Sequence, residues 1–385
     1  MSYQARRLVI FVVGLTMGLS VASATRCSFS ARSAQRSSCL AFACPSRRRS
    51  TRLALSSVQR KDNDGMDYSK SFETKYEQLM GASRLSLAPM MEYTDRHFRH
   101  VVRLISKRTL LYTEMVAANA LSHERRDVMS RYRIENPNAS PEQVREGYSD
   151  EYLRRYLSQG LVEPLEGPSV LQLGGSDPEQ LFEAAETVID LSNRGHCDYT
   201  AINLNCGCPS PKVAGKGCFG AALMDDPHLV ADITRAIHDG TGGRLPVTVK
   251  CRIGTDSNDV PFNRAQYDAM DENEEYDKLR RFIETVAGGG VVTDFQVHAR
   301  IAVLNKKFSP SDNRKIPPLK YQLVRRLVQD YSPDLTFSIN GGVGSIEQVQ
   351  EQLDACPGLL GVMVGRAWYV FLWCVMMHSV FQSSL

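Results

Sequence analysis

The chain has 385 residues, 43% hydrophobic and 23% charged, the composition of an ordinary globular protein able to bury one large core or two small ones. Its formal charge of +3 hides an asymmetry: residues 1–61 hold ten arginines, one lysine and no acid, leaving 35 basic against 43 acidic residues, about −8, in the rest. That excludes a long-range attractive field for a polyanion, so any nucleic acid must be held by a local basic patch. Ten cysteines lack the spacing of a disulfide framework, and reduced thiols are the expectation.

In chain order, residues 1–24, MSYQARRLVIFVVGLTMGLSVASA, place two arginines before a short apolar run that ends in ASA, the pattern of a signal peptide. Residues 25–61 are Ser- and Arg-rich and acid-free, the composition of a transit peptide. Together they resemble the two-part leaders that deliver proteins to plastids of secondary origin. Mitochondrial import is the second reading, and a mispredicted start upstream of Met66, giving a cytoplasmic protein, is the third. Residues 1–65 are expected to be a disordered leader, with no stable membrane association once removed.

From Arg84 the pattern becomes short apolar runs separated by helical stretches: 85–90, 110–115, 170–175, 200–206, 246–252, 294–300, 336–341 and 359–366. Near-continuous apolar strands alternating with helices indicate a parallel sheet covered on both faces, and eight of them predict an α/β fold of the (β/α)8, or TIM barrel, type over residues 84–369. Two polar, turn-rich intervals, 124–168 and 254–277, read as surface insertions, the first partly helical at 141–158.

Such barrels place their sites at the C-terminal strand ends. Strand one there offers Pro89, Met90 and Met91, and strand two Glu114. Strand three contains Gln172, and strand four ends in Asn205, Cys206, Gly207 and Cys208. Strand five carries Lys250 and Arg252, and strand six His298 and Arg300. The last two end in Asn340, Gly341 and Gly342, and in Gly365 and Arg366. Glycines on the last two strands, with the forked cation of Arg366, predict a phosphate site. Gln172 and Lys250 are candidates to bind a flat cofactor ring, the lysine stabilising negative charge on it, with His298 as a further donor.

The cysteines of INLNCGCP (202–209) do not form a metal clip, because CGC with Cys197 and Cys218 lacks the paired spacing that zinc requires. A disulfide across one residue is strained. Gly207 and Pro209 end the strand, putting Cys206 in it and Cys208 on the rim above. A thiol there acts as nucleophile or as acid; the absence of a sequence-adjacent histidine leans toward the acid, with tertiary neighbours open.

These segments, with LAPMMEYTDRHFR (87–99), LQLGGSDPEQL (171–181), PVTVKCRIG (246–254), SPSDNRKIPPL (309–319), SINGGVGS and GVMVGRAWY, resemble in order the tRNA-dihydrouridine synthases of the bacterial DusA-like branch. The resemblance spans Arg84 to Tyr369. It implies an FMN enzyme that uses NADPH to reduce the C5–C6 bond of D-loop uridines in tRNA, acting as a monomer. It implies that Pro89, Met90, Met91, Gln172, Lys250, His298, Asn340, Gly341, Gly342, Gly365 and Arg366 hold FMN. Cys208 matches the general acid, Asn205 the asparagine at the target base, and Arg314 a tRNA-contacting arginine; Arg300 is assigned to the tRNA as well. No metal is expected. Ala222 replaces a second, non-acid cysteine of the family. Ser311 stands where a basic residue is usual, with Lys306 and Lys307 as substitutes in a segment one residue longer.

Beyond Tyr369 the family continues into a helical tRNA-binding domain, whereas here residues 370–385 are a short apolar tail. A truncated gene product missing that domain is the expectation. The competing functions are an inactive FMN- or RNA-binding remnant and another FMN-dependent pyrimidine oxidoreductase.

Overall fold

A computed structural model describes residues 68–157, 166–209, 219–256, 262–305 and 307–369. The expected leader (1–65), the tail (370–385) and Lys306 lie outside the described residues.

The order of elements begins with α1 (Tyr68–Ala82), β1 (Leu85–Leu87), α2 (Arg96–Ile105), β2 (Leu110–Ala117) and α3 (Ala118–Glu135). Two short helices follow, α4 (Pro141–Gly147) and α5 (Glu151–Leu157), then β3 (Ser169–Gly174), α6 (Pro178–Asn193), β4 (Ala201–Cys206), α7 (Pro227–Gly240) and β5 (Val247–Arg252). The rest comprises β6 (Thr255–Asp256), α8 (Arg264–Asp268), α9 (Glu272–Gly288), β7 (Asp294–His298), β8 (Ala302–Val303), α10 (Tyr321–Tyr331), β9 (Thr336–Asn340), α11 (Ile346–Asp354) and β10 (Gly361–Val364).

Eight strands close into a parallel barrel in the order β1-β10-β9-β7-β5-β4-β3-β2, the TIM barrel expected from the apolar runs. Local sequence sets where the helices start. Asp177 and Asp226 each cap a helix whose next residue is proline, a residue that lacks the N–H a first turn leaves orphaned. Ser140 and Gln143 form a reciprocal capping box at α4.

Alternation along the strands sorts side chains into two layers. Ile202, Leu204 and Cys206 of β4 join Leu171, Leu173, Val249 and Cys251 in the larger apolar cluster, which includes the inner faces of α6, α7 and α9. Burial of one large apolar side chain contributes roughly 1.5–3 kcal/mol, and several dozen here are fully enclosed. Ala201 of β4 faces the other way and meets Leu110, Tyr112, Val170 and Met363 together with Leu79 and Ala82 of α1. That helix, to which the sequence reading gave no role, thereby plugs the N-terminal mouth of the barrel. Gly361 is required where β10 passes the end of α1, because a Cβ there would lie 1.8 Å from the Ser83 carbonyl oxygen.

The barrel differs from the expected boundaries in an informative way. Met90, Arg300, Gly341 and Arg366 fall just past the strands they were assigned to, because their backbones have already turned into the site loops. The interval 124–168 is less peripheral than its polarity implies. Val144 of α4, Tyr148 just after it, and Leu153 and Leu157 of α5 are buried, while Arg145 and Arg194 reach Glu186 and Asp150 in ion pairs. The interval 254–277 likewise supplies β6, which pairs with β8, and two buried tyrosines, Tyr267 and Tyr276. Among the described residues no helix is long and apolar enough to cross a membrane.

Candidate functional site

At the C-terminal mouth, β4 ends in Cys206 and the chain breaks from the sheet at Gly207, which packs in ordinary van der Waals contact on the β5 backbone at Cys251. Cys206 is fully buried against Cys251, its register partner, and burial pushes both thiols up, Cys251 to about 12. Cys208 is half-buried on the rim. No disulfide joins the described cysteines. No group of three or more His, Cys, Asp or Glu side chains among the described residues is placed to hold a metal.

Asn205 orients the loop. Its Oδ1 accepts the backbone N–H groups of Gly207 and Cys208, both at 3.0 Å, and its Nδ2 donates to Gln172 Oε1 at 3.1 Å and to Met115 Sδ. Gln172 Nε2 donates in turn to Asn203 Oδ1 at 2.8 Å. Both amides are thus engaged with the protein, Gln172 keeping one N–H and one lone pair for a ligand.

Around Cys208 the structure gathers cations. Lys250, Arg252 and Arg314 lie within electrostatic reach of Cys208, and Arg252, Lys250, Arg300 and Arg314 all act on His298. Burial, then the charge of Arg252, lowers the Lys250 amine to about 8; burial first and these cations next hold His298 well below its usual range, so it stays neutral. Among the described residues none of Lys250, Arg252, Arg300, Arg314 and Arg366 forms a salt bridge. Positive charge assembled at a barrel mouth without carboxylate partners among the described residues suits an anion.

The glycines of the last strands meet this patch. Gly341 (φ 109°) and Gly342 (φ 75°) occupy backbone conformations that L side chains rarely adopt. A Cβ on Gly341 would lie 2.5 Å from His298 Cδ2, and one on Gly342 2.3 Å from Leu319 Cδ1. Asn340 spends its amide on the Met363 carbonyl at 2.8 Å, bracing β9 to β10 beneath the glycines. Across the closure of the barrel, Gly365 stands beside Met90, with Pro89 half-buried and Met91 exposed. Arg366 is exposed at the rim. Arg300 turns inward, donating to the Pro317 carbonyl, whereas Arg314 projects to solvent from a short turn held by Ser309 and Asp312.

Two residues act here without having been singled out. Arg252, noted only as a strand-end cation, is almost wholly buried and donates to the carbonyls of Gly207 (2.9 Å), Ile301 (3.0 Å) and Asn313 (3.1 Å), tying the Cys208 loop to the loop that carries Arg314. Asn313 itself is fully buried and pairs with both backbone groups of Val303. The sequence signal for Arg252 was a charge inside an otherwise apolar strand; for Asn313 there was none.

The donor set fits a flavin mononucleotide: glycine backbone and arginines for a phosphate, a neutral imidazole in His298, and in Lys250 an amine without an acidic partner among the described residues.

Residues 86–382 match the family model described as Dihydrouridine synthase (Dus). A curated protein of Salmonella typhi, a tRNA-dihydrouridine(20/20a) synthase, is 42% identical over 288 residues, covering 75% of this chain and 69% of that protein. The protein of the same description from Vibrio parahaemolyticus is 40% identical over 286 residues, covering 74% and 69%. The old yellow enzyme of Trypanosoma cruzi superposes with a TM-score of 0.38 at 10% identity over 73% of this chain and 84% of that one, a likeness too low to carry an argument.

Proposed function

The chain belongs to the dihydrouridine synthase family, and from that premise we propose that it is an FMN-dependent tRNA-dihydrouridine synthase in which Cys208 is the general acid. The observation that carries this reading is the union, at one barrel mouth, of a rim thiol with Lys250, Arg252, Arg300, Arg314 and Arg366, none of which has a carboxylate partner among the described residues. Arg252 and Arg300 are engaged with backbone carbonyls, which leaves two exposed cations, Arg366 beside the glycines for a cofactor phosphate and Arg314 for an RNA backbone.

FMN, reduced by NADPH, would supply the hydride for C6 of the uracil. Gly341, Gly342, Gly365 and Arg366 would hold its phosphate, and Pro89, Met90, Met91, Gln172, Lys250 and His298 its ring and side arm. A uracil stacked in tRNA has to be extruded before its face is accessible. Arg314, exposed on its turn, contacts the phosphate backbone flanking it. Cys208 Sγ–H delivers a proton to C5, so the double bond gains one hydride and one proton. Asn205, whose two N–H groups and two lone pairs are engaged within the protein, acts on the base by fixing the loop that carries the thiol; Arg252 fixes the same loop from below. Lys250 stabilises negative charge that develops on the ring side of the site.

The test is direct. The purified chain is expected to release FMN on denaturation, to oxidise NADPH in the presence of unmodified tRNA, and to raise its dihydrouridine content by mass spectrometry. Protein that carries flavin but leaves tRNA unreduced contradicts the reading. We further propose organelle import directed by residues 1–61, on their acid-free, arginine-rich composition. A fluorescent fusion of residues 1–65 spread through the cytosol contradicts that.

A further inference from the structure

The bond from Asn205 to Gln172 is the upper end of a longer chain. Gln172 Nε2 donates to Asn203 Oδ1 (2.8 Å), Asn203 Nδ2 gives one N–H to Thr248 Oγ1 (2.8 Å) and the other to Gln296 Oε1 (2.8 Å), and Gln296 Nε2 donates to Asp294 Oδ2 (2.6 Å). All five side chains are buried in the barrel interior. Each of the four amides donates away from the C-terminal mouth and accepts from the side nearer to it.

This direction is forced at both ends. The N–H groups of Gly207 and Cys208 can only donate, so Asn205 must turn Oδ1 to them and Nδ2 to Gln172. Each next amide is then obliged to accept above and donate below. At the foot, Asp294 offers an acceptor: its Oδ2 takes the Gln296 bond while Oδ1 meets Thr336 Oγ1 at 3.2 Å. Thr336 Oγ1 has one hydrogen to share between Asp294 Oδ1 and the Thr293 carbonyl (3.3 Å); with it on the carbonyl, the hydroxyl lone pair accepts a hydrogen bond from a neutral carboxyl without disturbing Oδ2. Buried amides that polarise one another in this way are strengthened when every member is satisfied, and an interruption leaves two buried groups orphaned.

We propose that Asp294 is a positioning residue for the reaction: its acceptor oxygen anchors the foot of the amide chain through Gln296, Asn203 and Gln172, and so holds Asn205 and the backbone of the Cys208 loop. The chain explains why an acceptor side chain sits deep in an apolar strand, far along the bonded path from the thiol. It rests on the reading of Cys208 as the proton donor, but its structural part is read without that chemistry.

Hydrogen exchange at the Gly207 and Cys208 amides, followed by mass spectrometry on the full chain as purified, is the readout. Asp294→Leu removes the acceptor, and Gln296→Met breaks the chain one link higher. Both are expected to speed exchange at these two amides by at least about tenfold and to lower kcat on tRNA with KM held within about threefold. Asp294→Asn keeps an acceptor oxygen and hands its N–H to Thr336, so it restores slow exchange and turnover. Thr336→Val, off the chain, leaves exchange unchanged. Unchanged exchange in whichever of the Leu and Met variants folds, or exchange in the Asn variant as fast as in the Leu variant, overturns the proposal. A wild type inert on tRNA would sink the proposed activity while the exchange comparison still decides this one.

Discussion

Replacing Gly341 by alanine sets a backbone strain and a steric clash against one residue. At φ 109° an L residue is held outside its ordinary basins, which costs on the order of 1–3 kcal/mol. The new Cβ would also stand 2.5 Å from His298 Cδ2, 2.7 Å from His298 Nε2 and 3.2 Å from Leu319 Cδ2, so the imidazole has to leave its place in the proposed cofactor site. Gly195 supplies the control: its φ of 75° imposes comparable strain, but nothing lies within 4 Å of its Cβ, and it sits before β4 at the opposite end of the barrel. The two alanine variants are therefore expected to lose similar stability from strain, with Gly341→Ala losing about 1 kcal/mol more from displacement of the ring. Only Gly341→Ala is expected to weaken FMN, by about a hundredfold, roughly the 2.7 kcal/mol carried by one or two charge-assisted hydrogen bonds. Fluorescence titration of flavin-stripped protein measures this. FMN affinity within about threefold of wild type in Gly341→Ala, or equal weakening in Gly195→Ala, refutes the reasoning.

Arg252→Met strands three carbonyls at about 1–3 kcal/mol each, partly relieved where Gly207 reaches water, and a net loss of about 2–4 kcal/mol is expected in urea unfolding; a loss below about 1 kcal/mol contradicts the clamp. Arg314→Ala should raise KM for tRNA and reduce the slope of log affinity against log salt by about 0.7–0.9 while flavin absorbance is unchanged, and an unaltered slope removes Arg314 from the RNA contact. Burial raises Asp294 to about 7, above its unfolded value of about 3.9, so the fold favours the neutral acid. The stability this confers is complete below about pH 4 and is lost as pH rises through about 7, by about 4 kcal/mol in all. Asp294→Asn should therefore gain on wild type between pH 4 and 8, and a pH-independent difference in unfolding free energy contradicts the assignment.

The barrel was legible because a parallel sheet covered on both faces must be written in apolar runs, and VLQLGG, TAINLNC and PVTVKCR could be little else. Residues 141–157 misled because α4 and α5 bury only one or two apolar side chains each among arginines and glutamates; their attachment depends on ion pairs to α6 that no spacing announces. Within the site, Asn205 and Cys208 stood out by their turn context and Gly341–Gly342 by their glycines. Gln296, Asn203 and Asp294 did not, because one polar residue inside an apolar strand reads as an exception until register brings several into bonding distance. The clamp of Arg252 was hidden for a related reason: its partners are carbonyls, which every residue has.

Rapid mixing of pre-reduced protein with unmodified tRNA isolates the half-reaction in which Cys208 is assigned its proton transfer. Cys208→Ala is expected to retain the flavin absorbance of wild type while tRNA-dependent reoxidation slows by at least about a hundredfold, the low end of what a positioned general acid contributes. Reoxidation by tRNA at close to the wild-type rate in that variant would contradict the account.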